Sequence, residues 1–76
     1  MSASVEIEYC VPCGHLERAI DTQRAILEAF GQSVDGVRLK TGDGGVFTIR
    51  VNGRQIYDRT QGFDLDTVIS EIEAHM

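Results

Sequence analysis

The spacing of apolar residues changes once along the first half of this chain, and the change falls on a pair of cysteines. Through residues 5–9, Val5, Ile7 and Tyr9 alternate with Glu6 and Glu8. That period of two predicts a strand with one face buried and the two acids on the wetter face. After Cys10-Val11-Pro12-Cys13-Gly14 the period lengthens. Leu16, Ala19, Ile20, Gln23, Ile26, Leu27 and Phe30 recur at three and four, which predicts an amphipathic helix with Gly31 as its C-cap. A strand that gives way to a helix and then to another strand is expected to form a right-handed parallel unit, so the opening third of the chain already points to an α/β layer structure.

The remaining elements follow from the same patterns. Val37 and Leu39 alternate with Arg38 and Lys40, predicting a second strand over 37–40, and the glycines of Thr41-Gly42-Asp43-Gly44-Gly45 predict a loop without regular structure. Phe47, Ile49 and Val51 form the inward face of a third strand that meets Asn52-Gly53, a strong signal for a two-residue hairpin turn. A fourth strand is expected over 54–58, with Val51 opposite Arg54, Ile49 opposite Ile56 in the core, and Thr48 opposite Tyr57. Residues 59–63 read as a loop. Asp64 is placed to cap a last helix whose apolar side is Leu65, Val68, Ile69, Ile72 and Met76. The order β-α-β-β-β-α over 76 residues predicts a single domain, 1–76, of two layers: a mixed four-stranded sheet with both helices on one face. Glu6, Glu8 and Arg50 are expected together on the open face.

Charge and hydropathy exclude several functions. Twelve Asp and Glu against seven Lys and Arg give a net charge of −5, which repels a phosphate backbone, so no nucleic-acid partner is expected. No apolar run approaches the ~20 residues needed to cross a bilayer. The N-terminus has neither the basic start nor the apolar stretch of a secretory signal, and the expected location is the cytoplasm.

The two cysteines are too close to staple a fold and are placed for local chemistry. A C-x-x-C segment between a strand and a helix lies near unpaired backbone N–H groups and the positive end of the helix dipole, both of which favour a thiolate. With Cys10 at the cap, Pro12 falls in the first helical turn, where its missing N–H costs little. The expected reaction is dithiol–disulfide exchange by Cys10 and Cys13 with no cofactor, one thiolate attacking a partner disulfide and the other resolving the mixed disulfide. The partner of this exchange is expected to be a protein disulfide. His15 and Pro12 are candidate tuning residues, His15 through a charge or a proton near the sulfur. Two alternatives stand beside this reading: a non-catalytic interaction module switched by the disulfide, and a zinc site completed by His15 and His75.

Residues 5–13 with the pair at a strand end, residues 46–57 with Val51-Asn52-Gly53, and Gly62-Phe63 together resemble the selenoprotein W-like (Rdx) family across nearly the whole chain. The resemblance implies a thioredoxin-like fold, thiol-based and glutathione-linked redox chemistry with a glutathione-type thiol as a further partner, and a C-x-x-C or C-x-x-selenocysteine loop after the first strand. Selenium occupies the second position of the motif in such relatives, which would make Cys13 the attacking group, whereas cap geometry favours Cys10; the order stays open. This chain reads Gly62-Phe63-Asp64 where the family often has Gly-Phe-Pro. Pro12 is its only proline, so the cis-proline that flanks the active site of ordinary thioredoxins is absent.

Overall fold

A computed structural model describes residues 3–58 and 64–75. Strands β1 (Ala3–Cys10), β2 (Val34–Gly42), β3 (Phe47–Val51) and β4 (Arg54–Asp58) and helices α1 (Leu16–Phe30) and α2 (Leu65–Ala74) follow in the order β1-α1-β2-β3-β4-α2, with a 3-10 turn, Gly31–Ser33, after α1. The sheet order is β2-β1-β3-β4. β1 runs parallel to β2 and antiparallel to β3, and β3 runs antiparallel to β4. This is the expected thioredoxin-like, two-layer α/β fold. The 59–63 loop, including Gly62-Phe63, and the Met76 position lie outside the described residues.

The alternation in β1 sets the layers. Val5, Ile7 and Tyr9 are buried in one cluster with Phe47, Ile49, Val51 and Tyr57 of the sheet and with Ala19, Ile26, Val68 and Ile72 of the helices. Both helices therefore cover the same sheet face, and burying this apolar surface is the main force holding the layers together. Asp64 caps α2 as expected, its carboxylate accepting from the Asp66 N–H at 3.1 Å. Gly31, with φ 53°, donates its N–H to the Leu27 carbonyl and ends α1. On the open face Glu6 stands opposite Arg50 in register. Among the described residues its ion pair is instead with Arg38 of β2, at 3.4 Å, an exposed contact of small energetic worth.

Three expectations need correction. First, α1 buries Ala19, Thr22 and Ile26, while Leu16, Ile20 and Leu27 are exposed. The helix is rolled onto its small residues, which admit close approach to the sheet. Thr22 tolerates burial because its hydroxyl donates to the Arg18 carbonyl at 2.7 Å and so leaves no unsatisfied group. Gln23 fixes the roll by donating its side-chain amide to the Val37 carbonyl at 2.6 Å.

Second, β2 is longer than expected and takes in Thr41 and Gly42, which pair with Tyr9 and Cys10. Only residues 43–46 form the connection to β3, closed by the Val46 N–H on the Asp43 carbonyl at 3.3 Å. Third, the hairpin turn has φ 53° at Asn52 and 85° at Gly53, as a two-residue turn of this hand requires, but its register slips after Arg50↔Gln55. Ile49 then pairs with Tyr57 and Thr48 with Asp58. Ile56 is the extra residue, half-buried, and Tyr57 takes the core position expected for it. The slip sets the Tyr57 ring edge-to-face on Phe47, centroids 6.2 Å apart, an aromatic contact that Ile56 would not make.

Candidate redox site

β1 carries Cys10 to the edge of the ladder and holds it there. The Cys10 N–H donates to the Val46 carbonyl at 2.8 Å, and the Val11 N–H to the Gly42 carbonyl at 3.1 Å. Beyond Val11 the chain turns: the Gly14 N–H donates to the Val11 carbonyl at 3.1 Å and the His15 N–H to the Cys10 carbonyl at 3.4 Å. Cys10 and Cys13 are joined as a disulfide with their Cα atoms 5.3 Å apart. The two sulfur-bearing residues differ in access. Cys10 is 0% exposed, whereas Cys13, with Val11, Pro12 and Gly14, is exposed.

The helix cap is not where the spacing placed it. α1 begins at Leu16 with His15 in the cap position and no side-chain cap; the Ala19 N–H on the His15 carbonyl at 3.0 Å is its opening bond. Cys10 is still extended and bonded on both sides, and Gly14 has φ 78°, a left-handed conformation through which a right-handed helix does not propagate backward. Pro12 therefore lies in an exposed turn and not in the first turn of the helix. The cap premise that favoured Cys10 as the attacking group is removed.

Of the candidate tuning residues, His15 is half-buried with its ring edge-to-face on Phe47, centroids 6.0 Å apart. Its Nε2 is buried without a hydrogen-bond partner among the described residues. The Arg18 guanidinium lies over the same Phe47 ring, 5.9 Å from its centroid, a cation–π placement. Burial pushes the Tyr57 phenol above its usual 10.0, the Arg18 charge pulling it down and Asp58 pushing it further up. His75 is at the end of α2, its Nδ1–H donating to the Glu71 carbonyl at 2.8 Å. Among the described residues no three His, Cys, Asp or Glu side chains converge to hold a metal ion, so the donor set of the zinc reading is not assembled.

Glu8, on the open face, has no chemical role that the sequence alone reveals. It stands across from Lys40 on β2 and Thr48 on β3, and its carboxylate leans toward the end of the strand that carries Cys10. A Cβ added to Gly42, the residue paired with Cys10, would meet Glu8 Oε2 at 2.9 Å and Val46 Cγ1 at 2.7 Å. The bare backbone of Gly42 thus makes room for a carboxylate beside the buried cysteine. The spacing of two between Glu8 and Cys10 is the signal that places both on one face.

The family model described as "Rdx family" matches residues 4–72. The chain belongs to the Rdx family. Among solved structures it is similar to a structural-genomics target from Bordetella parapertussis, with 32% identity, all of both chains covered and a TM-score of 0.94. It is also similar to a selenoprotein W-related protein from Vibrio cholerae, with 29% identity, 99% of this chain and 98% of that one covered, and a TM-score of 0.94. A malarial protein with 10% identity and a TM-score of 0.58 shares the fold alone. No curated protein matches. Membership in this Rdx family points to thiol redox chemistry, and the Cys10–Cys13 pair is the part of the chain equipped for it. No helix among the described residues is long and apolar enough to cross a membrane.

Proposed function

We propose that this Rdx protein is a thiol–disulfide oxidoreductase in which Cys13 exchanges with the partner and Cys10 resolves. The observation that carries this reading is the unequal access of one bonded pair: Cys13 exposed in a turn, Cys10 sealed at the end of β1. Exchange requires a sulfur that an incoming disulfide can reach in line, and a second within bonding distance of the first. In the reduced protein the Cys13 thiolate attacks a partner S–S bond, forming a mixed disulfide and releasing one partner thiolate. Cys10 then attacks the Cys13 sulfur, expels the second partner thiolate and closes the internal ring. Two electrons pass from the dithiol to the partner. Exposed Val11 and Leu16 border the turn with apolar surface, which supports a protein disulfide as oxidised partner. A glutathione-type thiol is the proposed reductant.

The test is a trapping experiment with oxidised glutathione as the probe disulfide, read by mass spectrometry. Reduced Cys10→Ser should accumulate an adduct on Cys13, Cys13→Ser should form none on Cys10, and the unsubstituted protein should proceed to its internal disulfide. An adduct found only in Cys13→Ser would reverse the order of attack. No adduct in Cys10→Ser and no return to the internal disulfide would leave the pair as a switch or a structural bond and refute the exchange.

A further inference from the structure

Resolution asks a buried thiol to become a nucleophile. With Cys10 0% exposed in the disulfide form, solvent has little direct access to this sulfur, and a proton acceptor within the protein serves its resolving step. The cross-strand rows of the open face offer one. Gly42 and Cys10 are partners in the parallel ladder, so a side chain built on Gly42 would stand on the same face as that of Cys10. The Glu8 carboxylate oxygen is 2.9 Å from that built position, and Glu8 itself lies two residues before Cys10 on the same strand. His15, the other titratable side chain of the segment, packs instead against Phe47, which pairs with Tyr9 on the helix-covered side. Thr48 is Glu8's partner on β3, and its Oγ1 is buried with no hydrogen-bond partner among the described residues, on a residue only 8% exposed. A buried hydroxyl left unpaired carries a cost, and this one stands in the row beside Glu8.

We propose that Glu8 is the proton acceptor and donor for Cys10 in the resolving half of the cycle. The inference rests on the exchange reading above. From the mixed disulfide, the Cys10 S–H proton passes to the Glu8 carboxylate as the Cys10 sulfur bonds to Cys13 and the Cys13–partner bond breaks. The leaving partner thiolate keeps the bonding electron pair and is protonated by solvent. In the reverse direction an external thiolate attacks Cys13, Cys10 leaves with the electron pair, and protonated Glu8 returns the proton. The carboxylate and thiol are not alone on this face. Lys40 faces Glu8 from β2, Asp58 lies beyond Thr48 on β4, and Glu6 with its neighbours Arg38 and Arg50 forms the next row. Asp43 opens the connection after Gly42. All are kept unchanged in the variants below.

The experiment follows the glutathione adduct of the reduced full chain by rapid acid quench across a range of pH, separating adduct formation from adduct decay. Glu8→Gln keeps the shape of the side chain and removes its basicity. Its adduct should form within about twofold of the unsubstituted rate and decay about tenfold or more slowly at neutral pH, with decay recovering as hydroxide rises. Glu8→Asp should restore much of the decay rate. Gly42→Ala, which keeps Glu8 but puts a methyl group where its carboxylate lies, should slow decay in the same way, and decides the matter should Glu8→Gln not fold. Decay in the folded variants with the unsubstituted rate and pH profile would overturn the assignment to Glu8 while leaving exchange standing. Formation and decay slowed equally would also overturn it, as the mark of a merely structural role. Absence of any adduct in the unsubstituted protein and in Cys10→Ser would bring down the exchange reading and this proposal together.

Discussion

Ile26 and Leu27 are neighbours on α1, and both belong to the apolar stripe read from the sequence, yet one is fully buried and the other is 42% exposed. Replacing each by alanine measures the roll of the helix directly. Ile26→Ala removes three buried carbons, about 2.4 kcal/mol of transfer free energy at about 0.8 per methylene, and leaves a cavity beneath the helix, so the total falls at about 2–5 kcal/mol. Leu27→Ala gives up about half of that transfer with no cavity, for a cost of about 1 kcal/mol or less, and the slightly larger gain in helix propensity at Ile26, a few tenths of a kcal/mol, does not close the gap between them. A chain of this size holds about 4–11 kcal/mol in all, so the first change takes a large share and the second does not. Urea unfolding followed by circular dichroism reads both. At a slope of about 1 kcal/mol/M the midpoint should fall by about 2 M or more for Ile26→Ala and by about 1 M or less for Leu27→Ala, with the slope unchanged. Equal shifts, or a larger one for Leu27, would refute the packing of α1 on Ala19, Thr22 and Ile26.

Two further outcomes test the hairpin and the aromatic cluster. Gly53 has φ 85° with nothing within 4 Å of an added Cβ, so Gly53→Ala should cost about 1–2 kcal/mol in the same urea assay from backbone strain alone; no loss would mean that the turn is of another type. Burial raises the Tyr57 phenol in the folded protein, against the opposing charge of Arg18 and with the help of Asp58. On raising the pH the unfolded chain therefore ionises first. The contribution is intact below about pH 10 and is lost as the pH climbs from there through the folded value. Tyr57→Phe should lose less stability over that window than the unsubstituted protein, and an identical loss would refute the cause.

Much of this architecture was legible because one residue in two, or one in three to four, had to be apolar for an element to bury a face. Val5, Ile7 and Tyr9 announced β1, Asn52-Gly53 announced the hairpin, and Asp64 announced the start of α2. What periodicity could not supply was rotation and slip. The stripe on α1 is wide enough to admit several rolls, and the choice fell to small Ala19 and to Thr22, whose hydroxyl is satisfied within its own helix. The slip at Ile56 was decided by an aromatic contact between Tyr57 and Phe47, a tertiary preference that a two-residue turn does not encode. At the site, the cysteine pair could be read from spacing and family resemblance. The five-residue gap to the helix could not, since it follows from the left-handed backbone at Gly14. Glu8 escaped notice because a glutamate alternating with apolar residues looks like any solvated strand face until Gly42 is seen to clear the space beside it.

Cys10 belongs to the ladder and Cys13 does not. The bond between them closes one short bend, and the strand beneath it is anchored to Val46 and Gly42 by backbone hydrogen bonds of its own. A ring closed over so few residues takes little disorder away from the unfolded chain. The molecule does not lean on this bond as a clasp: the backbone of Cys10 is held by the ladder whether or not its sulfur has a partner.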